Sequence, residues 1–360
     1  MIIKELKYSP LRLNIKTPFQ TSNHIFSFRD IIIIKLTDEN NNSGFGEIAP
    51  LQHWGVETYE ESLSKTAEIS GSTRDLFVAE DIASITKMIE SLSDCRTVKF
   101  GISQAILQLL LKRGMDIKSI FGKQPNKLLS INGVIGIQSL QNTIKEAKDL
   151  YKSGIRTIKL KVGSEKFEND YLNVEKIHRE FNGEIKLRLD VNGKWNYDEA
   201  CLNLSKLSEF PIEYIEQPVA DTQELLILAS NTDMNLAPDE SIKSFDDIDL
   251  FIDSEKNNYL VIKPTLLGNI FLIIEKIKKA EKSNKKIIIS STFESDIGKS
   301  ALLFLAAIVN HNCAHGLAVQ EIFKDPPVPS FIKHEDGNIN FDNINFSEIG
   351  ENIPGIKWYP

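Results

Sequence analysis

Hydrophobic positions along this chain change their rhythm near residue 97. Before it, residues 12–16, 30–36 and 44–48 are short β-rich runs, and residues 38–44 (DENNNSG) have the turn chemistry of a hairpin. Residues 57–70 and 81–91 follow with helical composition and period. Strands followed by helices predict an α+β unit over residues 1–97. Beyond it, residues 102–111 begin a strongly apolar helix, and eight β-like runs follow at 128–134, 155–161, 185–190, 212–216, 235–239, 259–263, 286–291 and 314–318. The spacing leaves room for a return helix after each strand, which predicts a TIM-type (β/α) barrel over residues 98–322. The fold class is therefore α/β, a barrel with an N-terminal α+β capping domain. Residues 323–360 are rich in Pro, Asn and Asp, hold no further strand-helix unit, and are expected to pack back on the cap and complete it.

Five of the central runs end on a residue able to do acid-base or metal chemistry: Lys161, Asp190, Glu216, Asp239 and Lys263, at intervals of 23 to 29 positions. In a barrel of parallel strands these ends share one rim, the C-terminal face where barrel chemistry takes place. Three carboxylates gathered there repel one another and lose hydration, which is costly without compensation. A divalent cation resolves this, and all-oxygen ligation suits Mg²⁺. Asn192, two positions past Asp190, is a neutral neighbour for such a site. Lys159 and Lys161 alternate with Ile158, Leu160 and Val162, so both lysines face the barrel interior. A lysine, with a reference pKa of about 10.4, works as a base near neutrality only where another cation disfavours its charge. Lys263, from the sixth strand, lies across the barrel from the second and could meet the opposite face of a substrate.

Composition narrows the function classes. The 360-residue chain is 41% hydrophobic, enough for one barrel and a smaller domain, and its formal net charge of −8 argues against nucleic acid or anionic membrane as a partner. The most basic stretch, 276–286, is interrupted by Ala280, Glu281, Ser283 and Asn284 and reads as the solvated end of a helix. Cys95, Cys201 and Cys313 are widely spaced and odd in number, so reduced, structural cysteines are expected. The N-terminus lacks the apolar region of a signal peptide, and the longest apolar stretch, 301–309, is too short to span a bilayer. A cytoplasmic protein acting on a small-molecule carboxylate is expected, and a homo-oligomer is compatible with it.

The motifs around these residues carry a resemblance. Lys159-Leu-Lys161-Val-Gly163, Asp190-Val-Asn192-Gly-Lys-Trp195, Ile215-Glu216-Gln217-Pro218, Pro238-Asp239-Glu240-Ser241 and Ile262-Lys263-Pro264 stand in order on five successive strands, with Gly44-Phe-Gly46-Glu47-Ile-Ala-Pro50 in the cap. The set resembles the enolase superfamily, in its muconate-lactonizing-enzyme subgroup. The resemblance implies abstraction of a proton α to a carboxylate. Asp190, Glu216 and Asp239 would hold Mg²⁺, which stabilises the enediolate as a Lewis acid. Lys161 would be the base, with Lys159 assisting it and Lys263 on the other face.

Related activities in this subgroup include o-succinylbenzoate synthases, muconate cycloisomerases, dipeptide epimerases and N-acylamino acid racemases. Dipeptide epimerases carry Asp-x-Asp at the end of the eighth strand to receive an ammonium group, whereas this chain has Gly316-Leu317-Ala318. Ser290-Ser291-Thr292-Phe293-Glu294-Ser295 resembles a segment of o-succinylbenzoate synthases, whose small hydroxyl residues could hold a substrate carboxylate. Ser290 and Ser291 could equally cap the helix that begins near Ile297. With Asn192, Ser290, Ser291, Gly316 and Leu317 as substrate contacts, the resemblance favours a lyase that dehydrates 2-succinyl-6-hydroxy-2,4-cyclohexadiene-1-carboxylate in menaquinone biosynthesis. The resemblance implies that residues 18–24 and 52–57 of the cap form loops that close over the barrel mouth, which makes Phe19, His53 and Trp54 candidates for shaping the pocket.

Overall fold

The computed structural model describes the chain apart from residues 21–24, 74–75, 80, 318–321 and 352, and gives the backbone alone at 17–20 and 25–26. Phe19 and the 18–24 stretch thus lie outside the described side chains. Strands β1 (Ile2–Gln20), β2 (Ile25–Asp38), β3 (Ser43–Ile48) and β4 (Leu76–Phe77) form an antiparallel sheet in the order β3-β2-β1-β4. The β2–β3 hairpin turns on Asp38, whose Oδ1 accepts from the backbone N–H of Asn40 (2.9 Å) and Asn42 (2.8 Å), while Asn41 takes the left-handed conformation at φ 62°. Helices α1 (Tyr59–Ser72), α2 (Ile82–Leu92) and α3 (Arg96–Lys112) accompany this sheet.

Ile31, Ile32, Ile33 and Ile34 of β2 are all fully buried, so both faces of the sheet are covered. Glycine makes one side close-fitting. A Cβ at Gly44 would stand 2.1 Å from the Ala105 carbonyl oxygen, and one at Gly46 would stand 2.0 Å from that of Gly101, so β3 meets the α3 backbone directly. The alternate residues Phe45 and Glu47 point to the opposite face, where Phe45 stands 6.2 Å from the Trp358 ring and Glu47 reaches the barrel.

After α4 (Ile117–Phe121) come β5 (Leu128–Ser130) and β6 (Gly133–Ile135), then α5 (Leu140–Lys152), β7 (Thr157–Lys161), α6 (Phe167–Phe181), β8 (Lys186–Asp190), α7 (Tyr197–Leu207), β9 (Ile212–Glu216), α8 (Thr222–Ser230) and β10 (Leu236–Ala237). Helix α9 (Phe245–Asp253), β11 (Tyr259–Ile262), the short α10 (Pro264–Leu267), α11 (Ile270–Lys282), β12 (Lys286–Ile289), α12 (Asp296–Ala307) and β13 (Asn338–Asn340) complete the order. Strands β6 to β10 form one parallel sheet, and β11 pairs with β12 in parallel. Hydrogen bonds close the ring. Val261 N donates to Pro238 O (3.0 Å), Gly316 N to Ile289 O (2.9 Å) and Asn132 N to His315 O (3.0 Å), so residues 314–316 serve as the eighth stave. This is a (β/α) barrel with a capping sheet, the fold class the alternation of runs predicts.

Two parts of the predicted pattern change. The first stave, expected at 128–134, is split: β5 pairs antiparallel with β13, and parallel pairing with β7 begins only at Gly133. The C-terminal segment meets the cap through Tyr8–Tyr359 and Ile15–Phe323 bridges, but through β13 it also binds the barrel. A two-fold pairing of this kind is invisible to periodicity, because β13 is three residues long and polar at both ends. The basic stretch is likewise more anchored than expected: Lys285 is buried and donates to Ser254 O, and Lys279 pairs with Asp249 at 3.0 Å.

A buried carboxyl group ties cap to barrel. Glu47 accepts from the N–H of Ser295 (3.0 Å) and Gly298 (3.1 Å) and from the Ser295 hydroxyl, so a cap carboxylate closes the N-terminus of α12. Burial pushes the Glu47 carboxyl up to about 7, against the pull of these donors. The folded state therefore holds this proton more tightly than the unfolded chain, a stabilisation present below about pH 4.5 and lost as pH rises through 7. Between pH 5 and 8 the native protein is expected to lose about 3 kcal/mol more than Glu47→Gln does, read from urea unfolding midpoints. Parallel pH curves for the two would show that Glu47 does not titrate in this window.

Candidate active site

Strand register sets the site. Lys159 faces Arg188 and Arg188 faces Tyr214, while one layer nearer the C-terminal rim Lys161 faces Asp190 and Asp190 faces Glu216. The lower layer is plugged: Arg188 is fully buried, donates to Glu213 (2.6 Å) and Ala314 O (2.8 Å), and lies 4.8 Å from the Tyr214 ring centre. Tyr259 and Cys313 fill the space beneath with Ala237, Val261 and Ile288. A substrate can therefore enter only from the rim that carries the acids and lysines. Val134 of β6 is aligned with Lys159, so it faces the same interior, yet it is 41% exposed and marks the open side of that rim. A valine in a strand is ordinarily core, so the sequence carries no sign of this exposure.

The charges are interlocked. Lys159 Nζ lies 2.6 Å from Glu216 Oε1 and 3.0 Å from Asp190 Oδ2, and Lys161 Nζ lies 3.0 Å from Asp190 Oδ2 and 2.7 Å from Asn192 Oδ1. Lys263 pairs with Asp239, and its ammonium stands 4.0 Å from the centre of the Trp54 ring, a cation–π contact from the cap loop. Burial opposes ionisation of Asp190, but Lys159 and Lys161 together hold it well below the usual carboxylate range. Burial pushes Glu216 up to about 8, opposed by Lys159 and reinforced by Asp190 and Asp239. Burial disfavours the Lys159 cation as well, yet Asp190, Glu216 and Asp239 raise it well above its ordinary value. The five residues at the strand ends thus meet in one electrostatic unit.

Local turns aim these groups. Asp170 accepts from the N–H of Gly163 (2.8 Å) and Ser164 (3.0 Å), fixing the loop after β7. Gln217, buried with φ 40°, accepts from the N–H of Asp239 (2.9 Å) and Ser241 (3.1 Å), so it pins the loop that carries Asp239. Asn192 has φ 52° and links Lys161 to Glu240, whose Oε1 accepts from Asn192 Nδ2 at 3.0 Å. Burial and the neighbouring Asp239 push Glu240 up to about 7. Its position directly after Asp239 was visible in the sequence, but nothing there shows that its side chain turns toward Asn192.

The remaining predicted contacts are distributed unevenly. Ser291 donates to Glu294 (2.6 Å), and Ser295 caps α12 by accepting from Ile297 N (3.2 Å), so neither Ser290 nor Ser291 is the helix cap. Glu294 is the reason: buried, it also accepts from Thr265 (2.6 Å) and from Thr292 N (2.8 Å), and it bends the 290–294 loop back on itself. Gly316 lies beside Ser290, whose Oγ would be 3.2 Å from a Cβ at 316, and Leu317 is buried. Trp54 covers Lys263, whereas His53 is exposed.

Donor chemistry decides whether a cation fits. Among the described residues no three acidic or imidazole groups already stand as a metal cage, because lysines bridge the carboxylates. Asp190 Oδ1 and Glu216 Oε2, from adjacent strand ends, are nevertheless buried without a partner among the described residues. Two such carboxylate oxygens on paired residues of neighbouring strands, with Asp239 on the next strand end, are the kind of donor an oxygen-seeking divalent ion takes.

A barrel with lysines and carboxylates converging at its C-terminal rim is the architecture of an acid-base enzyme. The sequence family described as Enolase C-terminal domain-like matches residues 142–343, and the chain belongs to it, as an enzyme of the enolase superfamily. The chain is 24% identical to the L-Ala-D/L-Glu epimerase of Clostridium acetobutylicum over 99% of both. It is 26% identical to the o-succinylbenzoate synthase of Thermosynechococcus vestitus, covering 81% of this chain and 85% of that one. Among solved structures, a dipeptide epimerase from Enterococcus faecalis complexed with Mg and the dipeptide L-Leu-L-Tyr superimposes with a TM-score of 0.84 at 23% identity, covering 94% of this chain and 97% of that one.

Proposed function

We propose that this protein is an o-succinylbenzoate synthase, a Mg²⁺-dependent hydro-lyase that dehydrates 2-succinyl-6-hydroxy-2,4-cyclohexadiene-1-carboxylate to 2-succinylbenzoate. The reading rests on one contrast. The rim offers lysines and hydroxyls to an anionic substrate, while Gly316 and Leu317 of the eighth stave offer no carboxylate to an ammonium group. The synthase relative from Thermosynechococcus supports it.

Lys161, as the free amine, takes the proton α to the substrate carboxylate. The same group, now an ammonium, then gives that proton to the departing hydroxyl on the same face, so water leaves and the ring becomes aromatic. Lys263, on the other side, moves no proton and balances the charge that builds on the substrate, with Trp54 covering it. Lys159 holds Asp190 and Glu216 in register and keeps a positive charge beside Lys161. Asp190, Glu216 and Asp239 would hold the cation, which when bound supplies Lewis-acid charge opposite the substrate carboxylate. Ser290, bridged to Gly316 of the eighth stave, would meet a second carboxylate, while Ser291 gives its hydroxyl proton to Glu294 and would contribute only by shaping that loop.

A second reading is racemisation or epimerisation with Lys161 and Lys263 as bases on opposite faces of one carbon. Their origin on β7 and just after β11 favours it, as does the full-length similarity to an epimerase. Solvent deuterium separates the two. Incubated in D₂O with Mg²⁺, a synthase yields aromatic product from the cyclohexadiene, whereas a racemase incorporates deuterium at the α-carbon of N-acylamino acids or dipeptides with inversion. Inversion with no aromatic product would overturn the synthase reading.

A further inference from the structure

We propose that Glu240 is a positioning residue that aims Lys161 through the side-chain amide of Asn192. The inference rests on the reading of Lys161 as the base. Lys161 Nζ donates to Asn192 Oδ1 at 2.7 Å and to Asp190 Oδ2 at 3.0 Å. A neutral amine has two N–H groups and one lone pair. When both N–H groups are held by two fixed acceptors, the lone pair that must take the proton has one direction left.

One of those acceptors is an amide, and an amide can flip. With Oδ1 toward Lys161, Asn192 presents Nδ2 to the other side, where Glu240 Oε1 accepts at 3.0 Å. The flipped amide would set its NH₂ against the lysine N–H groups and its oxygen against the carboxylate. Glu240 thus selects the orientation in which Asn192 accepts from Lys161. The frame behind it is stiff. Asn192 sits in the left-handed region at φ 52°, its neighbour Gly193 donates to Gln217 O at 2.7 Å, and Gln217 binds the backbone on both sides of Glu240.

A purely structural role fits poorly. Glu240 Oε2 is buried with no partner among the described residues, so the side chain leaves a polar atom unsatisfied where it is. Groups kept at such a cost cluster where function requires them.

The test compares Glu240→Leu and Glu240→Gln, each alone and in the Asn192→Ala background. Leucine keeps the volume and removes the acceptor; glutamine keeps an acceptor toward Nδ2. Glu240→Leu is expected to lower kcat about 10- to 100-fold with KM changed less than about 3-fold and with an unchanged or raised Tm, since a misaimed group costs on this order. Glu240→Gln is expected to recover most of that loss. With Asn192→Ala already present, Glu240→Leu should cost less than about 3-fold more, because the amide through which it acts is gone. An undiminished kcat in Glu240→Leu, a change confined to KM, or a full loss added on top of Asn192→Ala would overturn the proposal. The Asn192 side-chain amide signals in a ¹H–¹⁵N spectrum give a readout independent of substrate. Glu240→Leu should shift them, and unshifted signals would remove the relay even if the assignment of Lys161 or of the reaction failed separately.

Discussion

Lys161→Ala is expected to lower α-proton removal by about 10³- to 10⁴-fold while leaving thermal stability within about 1 kcal/mol of the native protein. The magnitude is that of a lost general base. The small stability effect follows from position: the Lys161 side chain is 20% exposed, and Asp190 keeps Lys159 as partner when Lys161 is gone. Lys159→Ala makes the control. That ammonium is enclosed between two buried carboxylates, so its loss leaves Glu216 and Asp190 short of charge and is expected to cost about 3–5 kcal/mol of stability as well as activity. Deuterium exchange from solvent and urea unfolding, measured on both variants, separate a chemical role from a structural one. If Lys161→Ala still exchanged the α-proton at the native rate, the base would lie elsewhere.

Removal of the divalent cation is the second large effect. Chelation is expected to reduce turnover on the order of 10³-fold, because the charge that builds on the substrate carboxylate would face the lysines without a divalent cation. Added Mg²⁺ should restore turnover along a saturation curve and raise the unfolding temperature, since an ion bound only by the native state stabilises it by mass action. The oxygens of Asp190 and Glu216 left without a partner among the described residues would anchor the ion, so Glu216→Gln should shift the Mg²⁺ curve to higher concentration before it abolishes turnover. Full activity in excess chelator would contradict this assignment of the carboxylates.

The barrel was legible because its signal is periodic. Each central run ends in a charged residue one strand-helix unit after the last, and no solvated surface pattern places lysines and acids at the end of apolar runs so regularly. The convergence of Lys159 with Asp190 and Glu216 follows from strand alternation once the register is given. What escaped the sequence depends on turns and on close approach. Ser295, not Ser290 or Ser291, caps α12, because Glu294 gathers the hydroxyls before it and Glu47 arrives from another domain. The split of the first stave needs a partner, β13, that lies over two hundred residues further on. Val134 reads as core until the open rim beside it is seen. The Asn192–Glu240 contact joins two loops that the Gln217 hub helps to bring together.

The most direct measurement is the loss of ultraviolet absorbance of 2-succinyl-6-hydroxy-2,4-cyclohexadiene-1-carboxylate on addition of this protein with Mg²⁺, followed beside Lys161→Ala and Lys263→Ala. Rapid loss is expected with the native protein, none above background with Lys161→Ala, together with formation of 2-succinylbenzoate. No loss with native protein, together with α-proton exchange on N-acylamino acids or dipeptides that requires both lysines, would contradict the synthase assignment and place this site among the racemases and epimerases.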